Sequence, residues 1–285
     1  MVLLHTYIFI HSQDILLKYV QRKKFSELSH VYYVFVGNKP LDKSLFQFYP
    51  TVLENLIVCR EYADHLENFP LLCSFTGWYV LYKHIFLKLS KKQRPDYISL
   101  FEYDVSLETN FEEHVKELCL SSKPMLVGYI SLSIHNPNYL FPPDYDFTVL
   151  IDAVKKTYNW DVVEWVKRQH KKEIQESQEI QESQEILASV TMNYTFRLDC
   201  FYMFMDWVCP LLPFIMNSPW AGHIIERCVS FFYFYPTHKH IQQQCAWKWG
   251  AVVHAQMDSH ETQRTLLENV FHRQEMWNML YSSKN

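Results

Sequence analysis

The sequence predicts an α/β fold with a mixed, mostly parallel sheet that is flanked by helices. Short runs rich in β-branched and aromatic residues alternate with longer segments of helical spacing, the order expected when crossover helices connect parallel strands. The strand runs are almost continuously apolar, which indicates a sheet covered on both faces. The chain has 285 residues and 48% hydrophobic content, which is enough to bury a sizeable core.

The predicted strands are apolar runs bounded by polar or turn-forming residues. The first, LLHTYIFIH, ends in the polar HSQD, and the second, VYYVFV, is stopped by Gly-Asn-Lys-Pro. The others are NLIVCRE, DYISLFEYDV, PMLVGYISLSI and ASVTMNYTFRL.

The predicted helices carry apolar residues at helical spacing and recognisable ends. The segment ENFPLLCSFTGWYVLYKHIFLKLSKKQRP has a basic C-terminal end that suits the helix dipole, and Pro95 ends it. In DCFYMFMDWVCPLLPFIM, Asp199 is expected to cap the start, and prolines break the end. The segment SPWAGHIIERCVSFFYFY begins near Ser218 and Pro219. Further helices are DILLKYVQRKKFSEL, VLIDAVKKTYNWDVVEWVKRQHKK and HETQRTLLENVFHRQEMWNML.

We expect one main domain over residues 1–235 and a C-terminal helical extension, 236–285, packed on the same domain. A tandem repeat, EIQESQEIQESQEI, occupies residues 173–186. Its apolar residues recur at a spacing that matches no single helical face. We interpret it as a solvated, low-complexity insertion without chemistry.

Composition excludes several classes of protein. A net charge of −4 argues against binding to nucleic acid or to an anionic membrane surface. The seven cysteines include no CxxC pair, which favours a reduced intracellular protein over a zinc ribbon or a disulfide framework.

The N-terminus lacks the basic region and small-residue cleavage site of a signal peptide, so we interpret it as a strand. The longest apolar stretch contains Asp206 and two prolines and is shorter than the ~20 residues of a membrane span. We therefore expect a soluble, cytoplasmic protein; its aromatic content, 16%, leaves peripheral membrane contact open.

Common phosphate-binding and hydrolytic motifs do not occur in the sequence: neither GxGxxG, GxxxxGK[ST], HExxH nor GxSxG is found. There are only 5 glycines, so a phosphate site built from backbone amides alone is disfavoured. A metal ion is the other means of offsetting phosphate charge.

Two carboxylates end the apolar run in PDYISLFEYDVSLE, at Glu102 and Asp104. In a strand, residues two apart point to the same side, so these carboxylates are expected to project together. Ligands of α/β sheets gather at the carboxyl ends of strands, and hard oxygen ligands suit Mn²⁺ or Mg²⁺. The alternative is that both acids are solvated or pair with nearby lysines.

Three blocks in the same order resemble glycosyltransferases. YISLFEYDVSL is similar to the acid-x-acid (DXD-type) strand end of GT-A-fold enzymes, with Glu in the first place. ENFPLLCSFTGWYVLYK resembles the E-x-T-G-x-Y-x-x-W-K helix, and WAGHIIERCVSFFY the G-x-x-x-E-R-x-x-S/N helix, of capsular-polysaccharide-type and large-DNA-virus glycosyltransferases. The resemblance extends to about Tyr235 and is strongest with chlorovirus sugar transferases, such as a xylosyltransferase of the capsid glycan. A viral relative implies a location in the host cytoplasm.

The resemblance implies a GT-A-like (Rossmann-related) fold, a UDP-sugar donor such as UDP-xylose and a glycan acceptor. It places His11 and Ser12 at the nucleotide base and ribose. It also places Thr76, Tyr79 and Lys83 on a helix beside the donor, with Lys83 near the diphosphate.

The resemblance assigns the acids to the donor and its metal. Asp104 would hold Mn²⁺ or Mg²⁺, and Glu102 would approach ribose or sugar hydroxyls, because its longer side chain puts direct ligation in doubt. A late histidine completes the metal shell in some GT-A enzymes, and His238 is the candidate here; the alternative is a solvated turn.

The catalytic base is the least determined residue. The chain lacks the Glu-Asp pair that supplies the base in many inverting relatives, and Gly222 and His223 stand at the comparable place, followed by Glu226. His223, Glu226 and Asp199 are the candidates, although an ion pair at Glu226 and an N-cap at Asp199 are the alternatives. Four tryptophans could stack on sugar rings or belong to the core, namely Trp207, Trp220, Trp247 and Trp249.

The sequence thus predicts a metal-dependent glycosyltransferase that inverts the anomeric carbon by direct displacement. Two other functions stay open. One is a non-catalytic carbohydrate- or protein-binding module on the same fold, favoured by the missing Glu-Asp pair. The other is a metal-dependent nucleotidyltransferase or phosphohydrolase, which also uses paired acids.

Overall fold

The computed structural model describes residues 2–37, 39–129, 132–133, 146–165, 168, 187–188, 191–247 and 251–254. Within these residues the main sheet has seven strands. They are β1 (Leu4–Ile10), β2 (Val31–Phe35), β3 (Leu56–Val58), β4 (Tyr97–Glu102), β6 (Leu126–Gly128), β9 (Tyr194–Arg197) and β10 (Cys245–Trp247). Two further pairs are β5 (Val105–Leu107) with β11 (Val252–His254), and β7 (Leu132–Ser133) with β8 (Leu187–Ala188).

The sheet is mixed and mostly parallel, in the order β10-β6-β9-β4-β1-β2-β3. Strand β1 is parallel to both β2 and β4, and β2 is parallel to β3. Strand β9 runs antiparallel to its neighbours β4 and β6. The predicted fold class is therefore confirmed. The carboxyl ends of β1 to β4 meet at one edge of the sheet, which we call the carboxyl edge.

Helices cover both faces of the sheet. They are α1 (Gln13–Gln21), α2 (Pro50–Glu54), α3 (Phe75–Val80), α4 (Phe111–Ser122), α5 (Thr148–Tyr158), α6 (Leu198–Val208), α7 (Leu212–Ile215), α8 (Ala221–Phe234) and α9 (Lys239–Gln242). The long helix predicted from Glu67 begins only at Phe75, after a separate 3₁₀ turn at Pro70–Leu72, and beyond α3 it continues as a π-helical turn at Leu81–Ile85 and a 3₁₀ turn at Phe86–Lys88. The repeat at 173–186 and the last predicted helix lie outside the described residues.

Side chains of β1 alternate between two cores, which explains why the strand is apolar throughout. Tyr7 and Phe9 point to the core that α3, α6 and α8 cover. Ile8 and Ile10 point to the core under α1 and α4. Trp78 is the centre of the first core and meets Phe196 and Phe204 edge-on at 5.8 and 5.9 Å between ring centroids.

One helical run, Leu198–Ile215, is apolar and long enough to cross a membrane by length and composition. It has 18 residues with a mean hydropathy of 1.4, and 56% of it is buried inside the protein. A buried core helix passes the same test, so this run is weak support for a membrane span.

A glycine allows α3 to lie directly on the sheet. A Cβ atom at Gly77 would stand 2.5 Å from Cδ1 and Cε1 of Phe9 and 3.0 Å from Cγ1 of Val34. No real side chain tolerates such contacts, so the residue after Thr76 must be glycine if the helix is to keep this distance from β1 and β2.

Gly77→Ala is expected to lower the free energy of unfolding by about 1–3 kcal/mol, the usual cost of overpacking a core. Chemical denaturation measures it. Gly37→Ala is the matched control, because a Cβ atom there has nothing within 4 Å. Only the backbone strain of φ +96° remains, so we expect the free energy of unfolding to fall by about 1 kcal/mol. A Gly77→Ala protein as stable as the wild type would contradict the packing described.

A cavity of about 390 Å³ lies at the opposite edge of the sheet, near the start of β1, and His5 lines it. His5 is only 6% exposed, and its Nδ1 lies 3.4 Å from the Tyr7 hydroxyl. Burial, helped by the neighbouring His30, lowers the pKa of His5 to about 4.

The lowered pKa of His5 predicts a loss of stability in acid. Between pH 6.5 and about 4 the unfolded chain binds a proton that the folded chain does not, so the free energy of unfolding falls as the pH falls through this window. We expect His5→Gln to remove about 1–3 kcal/mol of that fall, measured by denaturation at pH 7 and 4.5. His30→Gln, which changes the exposed neighbour, should keep most of this acid-dependent fall in the free energy of unfolding. Identical pH profiles for His5→Gln and wild type would contradict the assignment to His5.

Candidate active site

A cavity of about 410 Å³ opens at the carboxyl edge of the sheet; we call it the donor cavity, after the substrate that the sequence resemblance implies for its residues. The ends of β1, β2 and β4, the loop before α3 and the first turn of α3 form its walls. The lining residues are Phe9, His11, Val36, Gly37, Lys39, Glu67, Pro70, Cys73, Ser74, Thr76, Glu102, Tyr103 and Asp104.

Both predicted carboxylates line the donor cavity, but not for the reason expected. Strand β4 ends at Glu102, and Tyr103 and Asp104 form a turn before β5. The backbone N–H of Tyr103 donates to the carbonyl of Phe9 at 3.1 Å, which folds this turn over the end of β1. The two carboxylates do line one cavity, as expected, but strand alternation is not the reason, because Asp104 lies in the turn beyond the end of β4.

Glu102 is held from two directions. Its carboxylate Oε1 accepts a hydrogen bond from the Ser74 hydroxyl at 3.0 Å. Its backbone N–H donates to Oδ1 of Asn193 at 2.9 Å. Ser74 precedes α3 and Asn193 precedes β9, so the end of β4 is fixed to two distant segments of chain.

His11 lies between the two sides of the donor cavity. Its ring meets Tyr103 edge-on at 4.8 Å between centroids. Burial and the charge of Lys39 lower the pKa of His11, while Asp104 opposes them. The imidazole is therefore held in its neutral form more strongly than in water. Ser12 precedes α1 and is not among the lining residues.

The helix predicted to lie beside the donor contributes only its first turn. Thr76 is buried and lines the donor cavity. Tyr79 and Lys83 do not line it. The Lys83 ammonium lies 4.8 Å above the Tyr82 ring, whose hydroxyl donates to Asp206.

A smaller cavity of about 150 Å³ adjoins the donor cavity; we call it the acceptor cavity, because it contains residues expected from the sequence to serve the acceptor. The two cavities share Cys73 and Glu102 as lining residues. Two of the predicted base candidates, His223 and Glu226, line the acceptor cavity from α8.

His223 and Glu226 form a pair that a third residue positions. Glu226 Oε2 lies 3.3 Å from Nδ1 of His223 and accepts a hydrogen bond from Nη1 of Arg227 at 2.7 Å. Arg227 is buried, so the carboxylate is held in a defined position. The Trp220 ring is half-buried and its centroid lies 6.2 Å from that of His223, but Trp220 is not among the lining residues of either cavity.

Cys73 occupies the boundary between the cavities in an unusual conformation. Its φ of +51° lies in the left-handed region, which costs energy for a residue with a Cβ. Burial raises the pKa of its thiol, and the charges of Glu102 and Glu226 raise it further. The raised pKa favours the neutral thiol, which lies near Glu102, a wall of both cavities, and Glu226, a wall of the acceptor cavity. Gly222 makes room for this turn, since a Cβ there would lie 2.9 Å from the Leu71 carbonyl oxygen.

The remaining predicted residues lie elsewhere. Asp199 forms an ion pair with Arg197, at 2.7 Å, and Arg197 is opposite Tyr97 at the start of β4. Strand β4 is six residues long, so Asp199 lies roughly 20 Å from the carboxyl edge. His238 follows α8, where its Nδ1 lies 2.9 Å from the Phe232 carbonyl, and it lines neither cavity.

Of the tryptophans considered as sugar-stacking residues, one belongs to the core and two have side chains outside the described residues. Trp207 belongs to the core, where it stacks on Tyr158 at 5.2 Å between centroids. The side chain of Trp247, and Trp249 as a whole, lie outside the described residues.

The sequence reasoning missed Lys39, Glu67, Cys73 and Ser74. Glu67 is only 6% exposed, and its Oε2 accepts a hydrogen bond from the Gly37 backbone N–H. Burial raises the pKa of Glu67, while the Gly37 N–H and the charge of Arg60 oppose the rise. Lys39 follows a predicted strand, whereas Glu67, Cys73 and Ser74 lie in the motif block ENFPLLCSFTGWYVLYK, whose start was predicted as helix but folds as a loop with a short 3₁₀ turn.

The residues that line the donor cavity supply only some of the ligands that a divalent cation needs. Carboxylates such as Glu102 and Asp104 are the ligands that Mn²⁺ and Mg²⁺ prefer, and one or two of them suffice when substrate phosphates supply the others. Within the part of the chain that the structure describes, no group of three His, Cys, Asp or Glu residues forms a complete metal site. The residues therefore suit a cation that binds together with a phosphorylated substrate.

No protein-family model and no curated protein matches this chain. Among solved structures, the chain is similar to the apo structure of WbbM, a bifunctional glycosyltransferase, with a TM-score of 0.53 and 14% identity over 90% of this chain. The match covers 46% of WbbM, so this chain spans about half the length of that protein. At this identity the likeness shows the fold alone, and it confirms the prediction of a GT-A-like glycosyltransferase fold.

Proposed function

We propose that this chain is a glycosyltransferase that moves a sugar from a UDP-linked donor to a hydroxyl group of a glycan. The observation that carries the proposal is the pair of adjoining cavities with a common wall at Glu102 and Cys73. A transfer between two bound substrates needs two neighbouring sites, because the reacting atoms must be held in contact. The shared fold with a glycosyltransferase supports the same conclusion.

The larger cavity is the donor site in this proposal. Glu102 and Asp104 would hold Mn²⁺ or Mg²⁺, whose charge when bound offsets that of the departing UDP. Lys39, in the same cavity, adds a positive charge from the chain itself. His11 offers a neutral ring to the nucleotide, and Thr76 a buried hydroxyl.

The smaller cavity is the acceptor site, with His223 and Glu226 as the base. The acceptor hydroxyl gives its proton to this pair while its oxygen bonds to the anomeric carbon of the sugar. At the same time the bond from that carbon to the diphosphate breaks, and its electrons leave with UDP. Arg227 keeps the Glu226 carboxylate in place throughout. A direct displacement of this kind inverts the anomeric carbon.

The identity of the sugar belongs to the proposal too. The sequence resemblance to chlorovirus sugar transferases makes UDP-xylose the first donor to try, with other UDP-sugars beside it. The test is to incubate the protein with a panel of nucleotide sugars and Mn²⁺ and to follow hydrolysis of the donor. Turnover of one UDP-sugar to UDP and free sugar supports the proposal. Binding without turnover indicates a non-catalytic module, and release of UMP and sugar phosphate indicates a phosphohydrolase.

Asp104→Asn is expected to weaken the effect of Mn²⁺ on UDP affinity. Removing the charge removes a metal ligand, so we expect the Mn²⁺-dependent gain in affinity to shrink at least tenfold, measured by calorimetry with and without the metal. Asp96→Asn, the same change at the other end of β4, is the control and should keep the gain. Equal gains in wild type and Asp104→Asn would remove the metal from the proposal.

Glu226→Gln is expected to lower the rate of donor hydrolysis by about 10²- to 10⁴-fold while leaving UDP affinity unchanged. The reason is that the substitution disables the base pair without touching the donor cavity. His223→Gln should have a similar effect, and the double variant should lose little more if the two residues act as one unit. The exposed Glu117→Gln is the matched control, and full activity in Glu226→Gln would exclude this pair as the base.

A further inference from the structure

Glu67 is a buried carboxylate, and one of its two oxygens has no hydrogen-bond partner among the described residues. Its Oε2 accepts the Gly37 N–H, but its Oε1 is buried and accepts no hydrogen bond from the residues that the structure describes. A buried acceptor left in this state costs free energy, so it needs an explanation, such as a bound water, an ion or a ligand. Glu67 is one of the residues that line the donor cavity, so this carboxylate lies at the wall of a possible ligand site.

The position of Glu67 separates it from the other acids. In the sheet, β1 lies between β2 and β4. Gly37, which follows β2 and bonds Glu67, is therefore on one side of the donor cavity, and Glu102 and Asp104, at the end of β4, are on the other. A diphosphate with its cation would occupy the β4 side, because the paired carboxylates are there. The β2 side is left for the uncharged part of the nucleotide.

We propose that Glu67 is a specificity-determining residue that accepts a hydrogen bond from an N–H or O–H group of the donor's nucleoside. For a UDP-linked donor the two sources are the imide N–H of uracil and the 2′-hydroxyl of ribose. The inference rests on the proposed function, since it assigns a role within the donor site.

The test exploits the Gly37 N–H, which needs an oxygen acceptor. In Glu67→Gln the amide oxygen stays on that N–H, so the NH₂ group takes the place of Oε1 and an acceptor becomes a donor. Affinities for UDP, CDP and 2′-deoxy-UDP are measured by calorimetry for both proteins. We expect UDP to bind about tenfold or more weakly to Glu67→Gln, the worth of one hydrogen bond to a charged group.

The panel identifies the group that Glu67 binds. A base contact makes wild type prefer UDP to CDP, whose ring nitrogen N3 is an acceptor, and Glu67→Gln loses or reverses that preference. A ribose contact leaves the ratio of UDP to CDP unchanged, and wild type prefers UDP to 2′-deoxy-UDP by a margin that shrinks in the variant. Glu61→Gln is the control, because Glu61 is exposed, pairs with Lys43 and does not line the cavity.

Two outcomes overturn the inference in different ways. If Glu67→Gln melts as wild type does and binds all three nucleotides with unchanged affinity, Glu67 has no part in recognition, and the proposed function stands. If wild type binds no nucleoside diphosphate with or without Mn²⁺, the proposed function fails and this inference with it. Should the variant not fold, equal wild-type affinities for all three nucleotides would still refute the proposal.

Discussion

The hydrogen bonds at Glu102 are the constraint on which the candidate site depends. They join the end of β4 to Ser74, before α3, and to Asn193, before β9. A backbone N–H at the end of a buried strand needs an acceptor, and the fully buried Asn193 supplies it. Because both cavities use Glu102 as a wall, their relative position is set by these two contacts.

Two glycines bring the helices to the same place. Gly77 lets α3 rest on Phe9, so that Thr76 reaches the donor cavity. Gly222 lets α8 approach the Leu71 carbonyl, so that His223 and Glu226 reach the acceptor cavity. In both cases the glycine serves close packing rather than a turn. Each glycine thus lets its helix pack closely enough for the functional residues beside it to reach a cavity.

The sequence predicted well those features that strand order and apolar pattern determine. Runs such as LLHTYIFIH indicated strands, and the rule of carboxyl ends placed His11 and Glu102 correctly at one edge. The sequence could not predict whether β9 runs parallel or antiparallel to its neighbours, because the apolar pattern of a strand does not encode its direction. An antiparallel β9 carries Asp199 to the opposite edge, which is why that candidate lies far from the cavities. Loop residues such as Glu67 carry no periodic signal at all, and only the folded chain shows where they lie.

The charges of the donor cavity bear on what it can bind. Among its described lining residues, Glu67, Glu102 and Asp104 face Lys39 and a histidine whose pKa is lowered. An anionic diphosphate entering alone would add repulsion to an already acidic site. The conflict disappears if the phosphates arrive with a divalent cation at the β4 side and if Glu67, on the β2 side, meets a neutral hydrogen-bond donor. The proposed metal requirement and the proposed nucleoside contact would then both answer the same excess of negative charge, each on its own side of β1.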